Sequence, residues 1–354
     1  MMNEIGSPAP EPADTALLLS GGVARAAYQV GVLQGVAALQ RRHRPDHQAA
    51  PFGIIVGTSA GAINAAALAC EADRFRPAVA RLARVWSQFH ADQVYRTGVT
   101  HALRASLRWL GLLAVGWMHQ HGDRLQPRSL LDNAQLRMLL GAELRLARLP
   151  ELLASGQLRA LAVATSCYSS GAHVTFYDSS TPIRDWARPR RHAVRTRIGV
   201  DHLMASSAIP FVFPAARIVA DGLAAYHGDG SMRQLSPLAP AIHLGAERVL
   251  AIGVGHAHEP AEDCFIDNPG YPSLSQVGSH VLSSIFLDTL PGDALRLQRV
   301  NHTLTLLRPE LRTQTAMRPV ELMRLGHRDA LAQAEAIEHF FGWQPVQAPV
   351  EPGT

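Results

Sequence analysis

Short apolar runs and amphipathic stretches alternate along the first part of this 354-residue chain. Thr15 to Ser20, "TALLLS", is nearly all apolar, which predicts a strand buried on both faces. Gly21 and Gly22 follow, and from Ala26 to Leu39 the apolar positions take helical spacing. Phe52 to Gly57 is a second apolar run that passes at once into the small-residue helical stretch "SAGAINAAALACEA". Strands without polar alternation that enter helices through tight turns predict a parallel, buried sheet. From about Pro77 to Leu153 the pattern is helical throughout, with Arg on one face and Leu, Trp and Ala on the other. Strand character returns at Arg159 to Cys167, and His173 to Ser179 alternates so as to pair with it in a hairpin. Ala215 to Gly230 reads as another hairpin, turning at Asp221-Gly222. "SPLAPAIHLGA" then reads as a helix with proline near its start, and Glu247 to Gly255 as a further buried strand. Helices are expected near Gln276 to Arg299 and Pro319 to Phe341, with "HTLTLLRP" as a last strand between them. There is no internal repeat and no interior linker, so the expectation is one α/β domain with a helical insertion.

Composition narrows this picture. Hydrophobic residues make up 47%, enough for a sizeable core, and charged residues only 18%, which excludes a mostly disordered chain. The formal net charge is +4, and every one of the 33 basic residues is arginine. That bias reads as codon usage first and as a mild attraction to anionic membrane surfaces second. The densest basic run, "RPRRHAVRTR" (Arg188 to Arg197), reads as a solvated loop; no nucleic-acid motif accompanies it. Three cysteines, Cys70, Cys167 and Cys264, lie far apart, which predicts neither a disulfide framework nor a cysteine metal site. Residues 1–14 and 345–354 are Pro-rich and expected to be disordered tails, and the first of them lacks the apolar core of a signal peptide. "LRWLGLLAVGWM" (Leu107 to Met118) is too short to span a bilayer. A cytoplasmic protein, soluble or peripheral to a membrane, is the expectation.

Three motifs carry chemistry. Gly57-Thr58-Ser59-Ala60-Gly61 fits G-x-S-x-G in the setting that motif needs, a strand, a sharp turn and a helix. There the serine Oγ is exposed, and the helix N-terminus beneath it favours developing negative charge. The second motif is the turn at Gly21-Gly22. It completes neither G-x-G-x-x-G nor Walker A, for the chain has no lysine at all. An oxyanion hole needs two or three N–H groups aimed at one point, and those of Gly21, Gly22 and Val23 would supply them, with Arg25 locking the loop or adding charge. The third is Asp229, held between two glycines before a helix, where a carboxylate is placed rigidly enough to face a serine. Histidine bases for a triad enzyme would come from those that follow: His243, His256, His258, His280, His302, His327 or His339, of which His256 and His258 come nearest to a suitable loop.

In this order the motifs, "GGVARA", "GTSAG" and "DGS", resemble the patatin-like phospholipase family, as do "ASSAIPFVFP" and "SPLAPAIHLGAERVLAIGV". The likeness covers roughly residues 15 to 310. It implies a three-layer α/β/α sandwich around a mostly parallel central sheet, with a helical insertion at 77–153 after the helix that follows the serine. Beyond the likeness, the helical pattern leads to the expectation of a C-terminal helical extension at 311–344. The activity implied is hydrolysis of lipid acyl esters by a Ser-Asp dyad, Ser59 as nucleophile and Asp229 as base, with no metal or cofactor. The partner is then a phospholipid or other acyl-ester lipid, and the insertion, from about 86 to 145, covers the acyl chain. Two residues depart from the family's loop, Val23 for a third glycine and Ala26 for the glycine after the arginine. If either position needs positive φ, alanine costs about 1 kcal/mol and valine more. The alternatives are therefore a hydrolase of soluble esters or thioesters and a weak or inactive lipid-binding relative of the enzymes.

Overall fold

The computed structural model describes residues 14–22, 26–87, 129, 131–183, 185–220, 222–232 and 234–253, with isolated positions at 293, 295, 297, 337 and 340–342. The first half runs β1 (Thr15–Leu19), α1 (Ala26–His43), β2 (Ile54–Thr58), α2 (Ala60–Ala69), α3 (Phe75–Ser87), α4 (Ala134–Glu143) and α5 (Leu149–Ala154). The second half runs β3 (Ala160–Cys167), β4 (His173–Ser179), β5 (Ala187–Arg188), β6 (Arg191–Arg195), α6 (Val200–Ser206), β7 (Ala216–Ala220), β8 (Leu223–Asp229), α7 (Ala239–His243) and β9 (Arg248–Ile252). The sheet order is β5-β6-β4-β3-β2-β1-β9, and β8 pairs with both β3 and β7. The four strands β9, β1, β2 and β3 are mutually parallel, as the apolar runs predict.

Successive residues of β1 explain why that run has no polar alternation. Leu17 and Leu19 join the cluster formed with α1, α2 and α3, while Ala16 and Leu18 join the one formed with α7. Both faces of the strand are covered, so both alternating sets must be apolar. The result is the three-layer α/β/α arrangement expected, with a mixed sheet whose centre is parallel. Ile337 and Phe341 are buried in the first cluster, and Phe341 meets Phe52 edge-on at 5.7 Å between ring centres, so the C-terminal segment contributes to this core.

Three expectations change. The run at 188–197 is not a solvated loop: Arg191–Arg195 is strand β6, parallel to β4, and only its central Ala193 is buried. With only β5 beyond it and one buried position, β6 keeps polar residues over most of its length, which is why its composition reads as loop. The helical stretch from 77 to 153 begins earlier, at Phe75, and among the described residues it is broken between α4 and α5 by a 3₁₀ turn at Leu146–Arg148. Asp14, placed in the disordered tail, accepts a hydrogen bond from Glu247 N–H at 2.8 Å. Residues 88–128, with Trp109 and Trp117, and most of the region expected to hold the last helices and strand lie outside the described residues. Among the described residues no helix is long and apolar enough to cross a membrane, and no cluster of metal-ligating side chains occurs.

Candidate active site

Strand register brings Ser59 and Asp229 together. β4 takes one edge of β3 over Ala160 to Ser166, leaving β2 and β8 to share the other. β2 ends there with Thr58 opposite Ala164, and β8 arrives with Asp229 opposite Thr165. The residue just past β2 therefore abuts the last residue of β8. Ser59 Oγ donates to Asp229 Oδ2 at 2.6 Å. Both side chains are buried, Asp229 completely.

Ser59 sits at φ 55°, ψ −129°, a conformation that L-residues adopt at a cost of order 1–3 kcal/mol. The surroundings hold it there. Ser59 N–H donates to Ser206 Oγ at 2.9 Å, and Ser206 Oγ donates to the Ala164 carbonyl at 2.6 Å. The flanking glycines are required by space: a Cβ on Gly57 would lie 2.5 Å from Ala62 Cα, and one on Gly61 would press on the Leu19 and Ser20 carbonyls. Asp229 is fixed as tightly. Its N–H donates to the Ala208 carbonyl at 2.9 Å, and its Oδ1 accepts from Ser231 N–H at 2.8 Å. A Cβ on Gly230 would strike the Ala164 carbonyl, and one on Gly228 the Tyr168 ring. Burial drives the Asp229 carboxyl up to about 6, against the opposing pull of the hydrogen bonds from Ser59 and Ser231.

The glycine turn stands beside the serine. A Cβ on Gly21 would come within 3.1 Å of Ser59 Cβ and would clash with Ser231 Oγ. Gly22 has φ 134°, open to glycine and hard for other residues. Among the described residues neither Gly21 N–H nor Gly22 N–H has an acceptor. Buried Gln29 of α1 donates to the Ser20 carbonyl at 2.8 Å, Asn64 of α2 donates to Gln29 at 3.0 Å, and Trp86 donates to Asn64 at 2.9 Å. This chain ties the loop to the helix behind Ser59. Ala26 opens α1 without positive φ, so its departure from glycine carries no strain. Val23 and Arg25 lie outside the described residues.

Among the described residues no histidine hydrogen-bonds Ser59 or Asp229. His227 shares a 3.0 Å hydrogen bond with Thr165 Oγ1, and burial holds it down at about 4. His243 stacks on Trp186 at 4.8 Å. His256, His258, His280, His302, His327 and His339 are outside the described residues. Sequence reasoning missed Ser206, Ser231 and Tyr168. The first two act through a hydroxyl and an N–H that only tertiary contact defines, and serine next to Asp-Gly reads as ordinary turn chemistry.

The molecule is thus an α/β protein with a glycine turn and a serine at the carboxyl ends of the adjacent parallel strands β1 and β2, the usual place for a site in such sheets, and a carboxylate brought to the serine by the antiparallel strand β8. A sequence model of the patatin-like phospholipase family matches residues 17–242, and the chain belongs to that family. Comparison with curated protein sequences returned no match. Among solved structures, the crystal structure of VipD from Legionella pneumophila is similar at a TM-score of 0.35 and 16% identity, over 84% of this chain and 56% of that one. This chain thus corresponds to little more than half of VipD's length.

Proposed function

We propose that the protein is a serine lipid acyl hydrolase working through a Ser59–Asp229 dyad. The observation that carries the reading is the 2.6 Å hydrogen bond from Ser59 Oγ to a fully buried Asp229 carboxylate. With its proton drawn to Asp229 Oδ2, Ser59 Oγ attacks the ester carbonyl carbon. The tetrahedral oxyanion forms beside Gly21 and Gly22, whose N–H groups have no described acceptor, and Val23 and Arg25 belong to the same loop. Collapse expels the alcohol, which takes the proton from Asp229. Water then attacks the acyl-enzyme, gives a proton to Asp229 and frees Ser59 together with the fatty acid. No metal is needed, since Asp229 does the proton transfers and backbone N–H groups hold the charge.

The lipid part of the reading rests on family membership and on the surface next to the site. The β7–β8 hairpin that carries Asp229 also exposes Val219 and Tyr226 on one face and Leu223 at its tip. The test is hydrolysis of a medium-chain nitrophenyl ester by wild type, Ser59→Ala and Asp229→Asn. Both variants should lose on the order of a thousandfold or more in kcat/KM. A wild type no faster than Ser59→Ala would leave the lipid-binding, non-catalytic alternative.

A further inference from the structure

A pocket lies on the side of the sheet that α7 covers. β4, β5, β6 and α7 enclose a cavity of about 210 Å³, smaller than most drug-sized ligand pockets. Its polar lining is basic: His173 from β4, Arg188 from β5, Arg191 and His192 from β6, and His243 from α7. We propose that this cavity binds a compact tetrahedral oxyanion, a phosphate or the phosphomonoester group of a larger molecule.

Arg188 and Arg191 face each other as direct partners across the β5–β6 ladder. Like charges directly opposite in a ladder are destabilising. No ion pair joins either guanidinium to a described carboxylate. Among the described residues, then, neither is neutralised by a carboxylate, and a bidentate acceptor of fixed geometry is what a guanidinium binds best. His173 is only 5% exposed, yet its Nε2 has no hydrogen-bond partner. A buried polar atom without a partner, on a residue that lines the cavity, is the kind of group for which a partner is expected. His243 is held against Trp186 at 4.8 Å, and Trp186 against Tyr177 at 5.3 Å. The indole is covered on both sides, which leaves no open face for a nucleobase and favours a small ligand. Asp293 also lines the cavity, and its Oδ2 already accepts from Leu238 N–H at 3.1 Å.

Two of the lining imidazoles, His173 and His243, are depressed, first by burial and then by the neighbouring arginines. His243 is lowered by burial and then by Arg188 and Arg191, and His173 is lowered to about 4 by burial and then by Arg191. An anion offsets the arginine contributions and favours the protonated imidazole, so binding takes up a proton and tightens as pH falls.

The experiment is calorimetric titration of the full-length protein with inorganic phosphate. Saturable binding is expected in wild type and in Ser59→Ala alike, so the outcome does not depend on the hydrolase reading. Arg191→Ala should weaken it about tenfold or more, and the exposed Arg188→Gln, which leaves the fold intact, should weaken it as well. Sulfate, whose charge is constant around neutrality, should bind more tightly as pH falls, and His243→Gln should flatten that slope. Phosphatidylcholine vesicles with and without a phosphoinositide separate the sources. Arg191-dependent capture by the phosphoinositide vesicles alone assigns the site to a lipid headgroup, and phosphate binding without capture assigns it to a soluble ligand. Absence of saturable phosphate binding together with no Arg191-dependent capture overturns the proposal, as does phosphate binding indifferent to both arginine substitutions.

Discussion

Asp229 carries a cost that its environment makes measurable. Its carboxyl is driven up to about 6 by burial, while an unfolded aspartate titrates near 3.9. Between those values the native protein keeps a proton that the unfolded chain has released. Native stability therefore falls as pH climbs through that window, by about 3 kcal/mol in full. Asparagine carries no charge and keeps an oxygen for Ser231 N–H. Asp229→Asn should accordingly be inactive yet more stable than wild type at about pH 8, with the difference shrinking toward about pH 4. Urea unfolding at the two pH values checks this, and an Asn variant less stable at both would contradict it. The same shift sets the rate profile. A base must be ionised to accept the Ser59 proton, so kcat/KM should rise with pH and level off above about 6. His227 and His173, both held at about 4, would not produce that step.

At the scale of elements, the site depends on how closely the α2 turn approaches the end of β1. A Cβ on Gly61 would lie 2.5 Å from the Ser20 carbonyl oxygen, with the Leu19 carbonyl closer still. Overpacking against backbone cannot relax by a rotamer change, so Gly61→Ala should cost about 1–3 kcal/mol or more and displace the Gly21 turn from Ser59. Gly141 of α4 meets nothing within 4 Å, and Gly141→Ala should gain about 0.5–1 kcal/mol through helix propensity alone. Thermal midpoints of the pair test whether contact or composition governs. The contrast also explains what could be read from sequence. The strand–turn–helix setting of Ser59, the glycine turn and the hairpin ending at Asp229 are local patterns, and they are where the residue order placed them. The pairing of Thr165 with Asp229 is a matter of register between segments some 60 residues apart, so the contact itself and the supporting roles of Ser206 and Ser231 were not legible. Strand β6 hid behind its arginines because it has one buried residue where the central strand β3 has all eight.

For the whole molecule, the arrangement of faces decides which substrates the proposed chemistry reaches. The carboxyl ends of β1 and β2 carry the Gly21 turn and Ser59, and β8 runs from its exposed hairpin tip directly into Asp229. Leu223 is 79% exposed and Val219 55%. Large apolar side chains at that exposure, on the element that leads into a buried site, are suited to insertion among lipid headgroups. A soluble ester needs no such contact, so the two substrate classes respond differently to charge placed there. Val219→Asp combined with Leu223→Asp should leave kcat/KM for a soluble nitrophenyl ester within about twofold, since both side chains are exposed and surface substitutions of this kind perturb stability little. Hydrolysis of phospholipid vesicles should drop about tenfold or more, because each charge must be brought to a surface where two apolar groups were favoured. Equal losses on both substrates would point to damage at Asp229 through β8. No loss on either would mean that lipid reaches Ser59 by another face.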